Sequence, residues 1–156
     1  MIIGKAKSRK SFFINIAVSA VLNNDILLSQ FRGALPQDKR KVIYFDTEQG
    51  KFHASKVARR PLVMNGYMQD EDYHFYALRT MDYKQRRNFI EYILYTKFKD
   101  EKIGLVIIDG AADLVSDVNN MEQSTEVQEL LMRWSGELNC HISTIIHSNY
   151  GSTKPT

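Results

Sequence analysis

Residues 4–11 read Gly4-Lys5-Ala6-Lys7-Ser8-Arg9-Lys10-Ser11, and the reading of this octapeptide decides the fold. Ile2-Ile3 before it look like the last residues of a strand. Ser11 to Leu28 behind it carries Phe13, Ile16, Ala17, Ala20 and Val21 at helical spacing, so a helix should open directly from the loop. A strand, a tight basic loop and a helix are what a phosphate-binding loop requires. Its pattern, G-x-x-x-x-G-K-[S/T], fits at every fixed position but one, where Arg9 replaces the second glycine.

In such a loop, backbone N–H groups wrap the phosphate and the helix offers its positive N-terminus. Gly4, Lys5, Ala6, Lys7, Ser8 and Arg9 would form the cradle. Lys10 would reach the β- and γ-phosphates, and Ser11 would give a hydroxyl to magnesium. A glycine at position 9 would permit a positive φ or a close backbone approach. Arg9 must take an ordinary conformation or sit strained at about 1–3 kcal/mol. Its guanidinium would add positive charge near a phosphate. The same residues also fit a basic strand-to-helix turn without a ligand, and the loop alone does not decide.

Working outward, Lys41-Val-Ile-Tyr-Phe-Asp46 is a short apolar run ending in an acid, the pattern of a buried parallel strand. Tyr73 to Ala77 is another short strand candidate. Tyr83 to Lys99 reads as an amphipathic helix. Ile103-Gly-Leu-Val-Ile-Ile-Asp109 is an almost unbroken hydrophobic strand that again ends in aspartate. Met121 to Leu138 is a helix with Trp134 inward, and His141-Ile-Ser-Thr-Ile-Ile-His147 is a strand. The alternation predicts a three-layer α/β/α sandwich with a mainly parallel sheet, in one domain spanning 1–156. Such a sheet usually carries an outer strand or two more, so the expectation is a domain incomplete at its C-terminus.

Three acids and a histidine end these strands. Asp109 lies where an aspartate beside the loop would hold magnesium with Ser11. Glu48, in Asp46-Thr47-Glu48-Gln49, would orient and deprotonate a water attacking the γ-phosphate. His147 or Asn149, at the end of the strand expected beside the loop strand, would sense that phosphate. Each also has a plain reading, as a turn cap, an exposed turn acid or a structural histidine. All are predicted at one edge of one sheet.

The chain has 156 residues, 44% of them hydrophobic and 25% charged, so a packed core is within reach. A single cysteine, Cys140, rules out an internal disulfide framework and fits a reducing, cytoplasmic compartment. No apolar run reaches the roughly 18 residues a membrane span needs. The formal net charge of +3 permits anionic partners without demanding them. Basic residues cluster at Lys5 to Lys10, Lys39 to Lys41, Arg59-Arg60 and Lys84 to Arg87, equally consistent with solvated loops and with a phosphate or nucleic-acid surface.

With GKAKSRKS, VIYFDTEQ, LVIIDGAADLV and TIIHSNYGSTKP in this order, the chain resembles the RecA-like P-loop ATPases. The branch is that of the RepA-type and DnaB-type hexameric replicative helicases of plasmids and mobile elements. Acid placement carries the likeness: D-T-E follows the second strand, and residue 110 beside Asp109 is Gly, not Glu. The resemblance implies ATP and Mg as ligands, with Lys10 and Ser11 as the Walker A pair and Asp109 as Walker B. It implies Glu48 as general base and His147 as sensor. It implies a cytoplasmic hydrolase of helicase type, acting in DNA replication as a homo-oligomer, a hexamer, on single-stranded DNA, with no membrane. The channel loop would be Val115 to Ser124, which lacks lysine and arginine. Other readings are a nucleotide-binding regulatory or assembly module with little hydrolysis, a small-molecule kinase, and a non-nucleotide α/β protein.

Overall fold

The computed structural model describes residues 1–5, 8–66 and 69–148, with the backbone alone given for Lys5, His147 and Ser148. The elements run β1 (Ile2–Lys5), α1 (Lys10–Asn23), β2 (Ile26–Leu27), β3 (Phe31–Arg32), β4 (Lys41–Asp46), α2 (Lys51–Met64) and β5 (Tyr73–Ala77). There follow α3 (Tyr83–Tyr92), β6 (Ile103–Asp109), α4 (Met121–Glu137) and β7 (His141–Ser148).

Five strands form one parallel sheet in the order β1-β7-β6-β4-β5, while β2 and β3 make a small antiparallel ribbon. The expected α/β class with a parallel sheet flanked by helices is what the chain adopts. The long strands are hydrophobic throughout because both their faces are covered. Side-chain alternation sends Val42, Tyr44, Leu105 and Ile107 to one face, where Ile14, Val18 and Leu22 of α1 and Val57 of α2 meet them. Ile43, Phe45, Val106 and Ile108 point the other way, onto Ile90 of α3 and Val127 and Trp134 of α4. Trp134 is fully buried, as its helical phase predicts.

Several elements differ from the sequence reading. Helix α1 stops at Asn23 rather than Leu28, because Asn24 turns left-handed (φ 55°) and its N–H caps Ala20 O. The side chain of Asn24 then clamps Leu35 through both backbone groups, at 2.8 and 3.3 Å. The helix expected over 83–99 is α-helical only to Tyr92 and continues as a π-helical turn over Ile93–Lys97. Its start is fixed by a capping box between Asp82 and Gln85. Helix α2 has no apolar period to announce it: it buries just Ala54, Val57 and Pro61, and Pro61 inside it donates no backbone hydrogen bond.

All parallel strands end on one side. The C-terminal ends of β1, β4, β6 and β7 therefore bring the octapeptide, Glu48, Asp109 and the backbone of His147 to the same edge.

Candidate functional site

The loop of residues 4–11 joins β1 to α1 as the sequence requires. Gly4 pairs in register with His147, which places β7 beside the loop strand. A Cβ at Gly4 would stand 3.0 Å from Ser8 Oγ and 3.4 Å from Lys10 Cδ, so the chain folds closely over this residue. Arg9 takes the left-handed conformation, φ 63° and ψ 25°. An arginine thus adopts the backbone shape for which glycine is the default, and the strained alternative is the one realised. Its carbonyl accepts from the N–H groups of Phe12 and Phe13 (both 3.0 Å), starting α1 without a side-chain cap. Ala6 and Lys7 lie outside the described residues, as does Asn149, and the side chains of Lys5 and His147 lie outside them too.

Lys10 is 7% exposed, and its ammonium donates to Gly4 O at 2.6 Å and to Ser8 Oγ at 3.5 Å. The ammonium thus folds back onto Gly4 and Ser8. Ser11 Oγ donates to Asp109 Oδ2 at 2.7 Å, closing a contact between residues 98 positions apart.

Asp109 is 1% exposed. Its Oδ2 also accepts from the buried phenol of Tyr44 at 2.8 Å, while Oδ1 has no hydrogen-bond partner among the described residues. No local sequence pattern points to Tyr44: its one sign is a phenol within the apolar strand β4. The phenol is held well above its ordinary pKa by burial and then by the Asp109 charge, so it stays a donor.

Asp46 and Asp109 are register partners on adjacent strands. Asp46 Oδ1 accepts from the N–H groups of Glu48 (3.1 Å) and Gln49 (2.8 Å), and its buried Oδ2 has no partner among the described residues. Burial pushes the Asp46 carboxyl up to about 6; the Gln49 amide works against this, and the Asp109 charge adds to it. Glu48 is pushed up to about 7, first by burial, then by the charges of Asp109, Asp113 and Asp46, with Lys10 opposing. A carboxyl poised near neutrality suits proton abstraction.

Two further residues fix Glu48. Arg79 donates to its carbonyl at 2.7 Å from the end of β5. The Thr47 hydroxyl lies 2.7 Å from Asp113 Oδ2 and within reach of the carbonyls of Asp109 and Gly110, locking the turn onto the end of β6. Gly110 (φ +100°) accommodates this: a Cβ there would lie 2.1 Å from Thr47 Oγ1 and 3.0 Å from Glu48 Cγ. A glutamate directly after Asp109 has no room, since Thr47 and Glu48 already cover that position.

The donor set suits a hard cation: a hydroxyl, an aspartate and one unpartnered buried carboxylate oxygen, Asp109 Oδ1. Among the described residues no group of three or more His, Cys, Asp or Glu could hold a metal ion, so Ser11 and Asp109 would leave most of an ion's coordination to other ligands. Val115 to Ser124 is ordered by its own polar groups, Gln123 Oε1 accepting from Ser116 and Asp117 and Asn120 capping α4. Cys140 is buried and its thiol is held up by burial, as a packing residue would be. Among the described residues no helix is long and apolar enough to cross a membrane.

No protein-family model matches the chain, and no curated protein matches it.

Proposed function

We propose that this chain binds a magnesium-bound nucleoside triphosphate, ATP, at residues 4–11 and hydrolyses it, as a RecA-like ATPase. The reading rests above all on the 2.7 Å bond from Ser11 to Asp109, which joins the two motifs that phosphoryl-transfer sites require together. Ser11 and Asp109 would hold the magnesium, which supplies positive charge to the phosphate oxygens. Lys10 neutralises the charge gathering on the γ-phosphoryl, and the loop amides with the α1 N-terminus bind the β-phosphate. Glu48 takes a proton from the attacking water, and Asp46 and Arg79 keep its backbone in place. His147 is the proposed sensor. The helicase reading adds single-stranded DNA as partner and a hexameric ring.

One observation favours a second reading, a nucleotide-binding module with little turnover: Lys10 is already satisfied by the loop's own Gly4 carbonyl, behind the strained Arg9. Phosphate release from Mg-ATP, with and without single-stranded DNA, separates the two. Hydrolysis lost at least about 100-fold in Glu48→Gln supports the ATPase. Turnover indifferent to that substitution sinks it.

A further inference from the structure

A cleft of about 670 Å³ opens on the loop itself, where Ser8, Arg9, Lys10 and Ser11 line it, and continues from the start of α1 along α2. Its cations are Arg9, Lys10, Lys56 and Arg60, His53 also lines it, and no carboxylate lines it among the described residues. His53, Lys56 and Arg60 recur at helical spacing, three and four residues apart, so one face of α2 carries all of them. Arg60 stands seven residues beyond His53, about 10 Å along the helix axis.

Two aromatic rings accompany these cations. Phe52 is 67% exposed and Phe12 is 43% exposed, both large apolar groups left in water. Lys56 sits 4.3 Å above the Phe52 ring centroid, and Arg60 lies 5.4 Å from that of Phe12. Each cation covers one ring face and steadies it. A row of cations interleaved with steadied rings matches the two needs of a single strand, phosphate neutralisation and base stacking. An acidic peptide without apolar or aromatic side chains would use the cations and leave the rings idle.

We infer that the α1–α2 cleft and the exposed face of α2 next to it form a binding groove for single-stranded nucleic acid, with Lys56 and Arg60 on the phosphates, and Phe12 in the cleft and Phe52 outside it under the bases. The inference gives the DNA partner of the proposed ATPase a place on this chain, while the groove itself stands without turnover. It assigns that contact to α2 rather than to Val115–Ser124, which offers Asp117 and Glu122 and no cation.

The test is fluorescence anisotropy of labelled oligo(dT) with the full chain, without nucleotide, across a salt series. Each phosphate contact to a single strand contributes about −0.7 to the slope of log K against log salt. Lys56→Ala with Arg60→Ala should therefore flatten the slope by about 1.4. Phe52→Ala should weaken binding at least about fivefold with the slope unchanged, as lost stacking would. All three side chains lie on an accessible helix face, and circular dichroism verifies folding of the variants. An unchanged slope in the double variant overturns the assignment, as does displacement of the probe by poly-glutamate as readily as by unlabelled oligo(dT). Mg-ATP calorimetry on the double variant separates the two readings: nucleotide binding kept while oligo(dT) is lost confines the damage to the groove. Oligo(dT) binding without any nucleotide binding sinks the ATPase alone.

Discussion

Arg9 concentrates the tension of this site in one residue. A left-handed conformation costs an L-residue about 1–2 kcal/mol, and glycine escapes that cost while losing about 0.5–1 kcal/mol of chain entropy. Arg9→Gly is expected to raise unfolding stability by up to about 1 kcal/mol in urea titration, whereas Arg9→Ala, equally strained, gains nothing. Equal gains from both would place the cost in charge rather than backbone. Glu48 makes a pH-dependent claim. Its carboxyl, raised to about 7, and that of Asp46, raised to about 6, bind protons more tightly folded than unfolded. Their contribution to stability is therefore present at low pH and is lost as pH rises through about 6 to 7. Thermal melts should show the chain losing stability between pH 5 and 8 less steeply in Glu48→Gln, with the variant the more stable at pH 8. The proposed hydrolysis, with Glu48 as its ionised base, should rise with pH over the same window. Tyr44→Phe removes a buried donor from Asp109 and should cost about 1–3 kcal/mol in urea titration. A neutral result would show that Ser11 alone satisfies the carboxylate.

Elements carry the geometry that single residues cannot. The turns after β4 and β6 are folded onto each other by Thr47, and Gly110 leaves the space for it. Gly110→Ala would set a Cβ against Thr47 Oγ1 at a positive φ, and is expected to cost on the order of 3 kcal/mol. A melting temperature equal to that of the parent would mean the two turns part easily. Legibility divides along the same line. The strands over 41–46 and 103–109 were readable because they are buried on both faces and so read as unbroken apolar runs. Helix α2 was not, because it touches the core through Ala54, Val57 and Pro61 and turns its basic face outward. Asp109, Glu48, Lys10 and Ser11 were readable from motif spacing, and the fold brings them together. Tyr44 and Arg79 were not, since each acts through a single contact to a neighbouring strand end that no local pattern encodes.

At the scale of the whole molecule, one fact organises the rest: every strand of the main sheet is parallel. Parallel strands put all their carboxyl ends on one edge, so residues from positions 4 to 147 share a rim without any loop having to travel. The α1–α2 layer adds a basic cleft to that rim, and the α3–α4 layer on the other face supplies packing. The measurement that bears most directly on this arrangement is calorimetric titration of Mg-ATP into the chain, with Lys10→Ala and Asp109→Ala beside it. Binding is expected in the parent, together with a thermal stabilisation of about 2.7 kcal/mol at a hundredfold excess over Kd, and both substitutions should abolish it. Nucleotide binding that survives either substitution, or none in the parent at millimolar Mg-ATP, would contradict a phosphate site at residues 4–11.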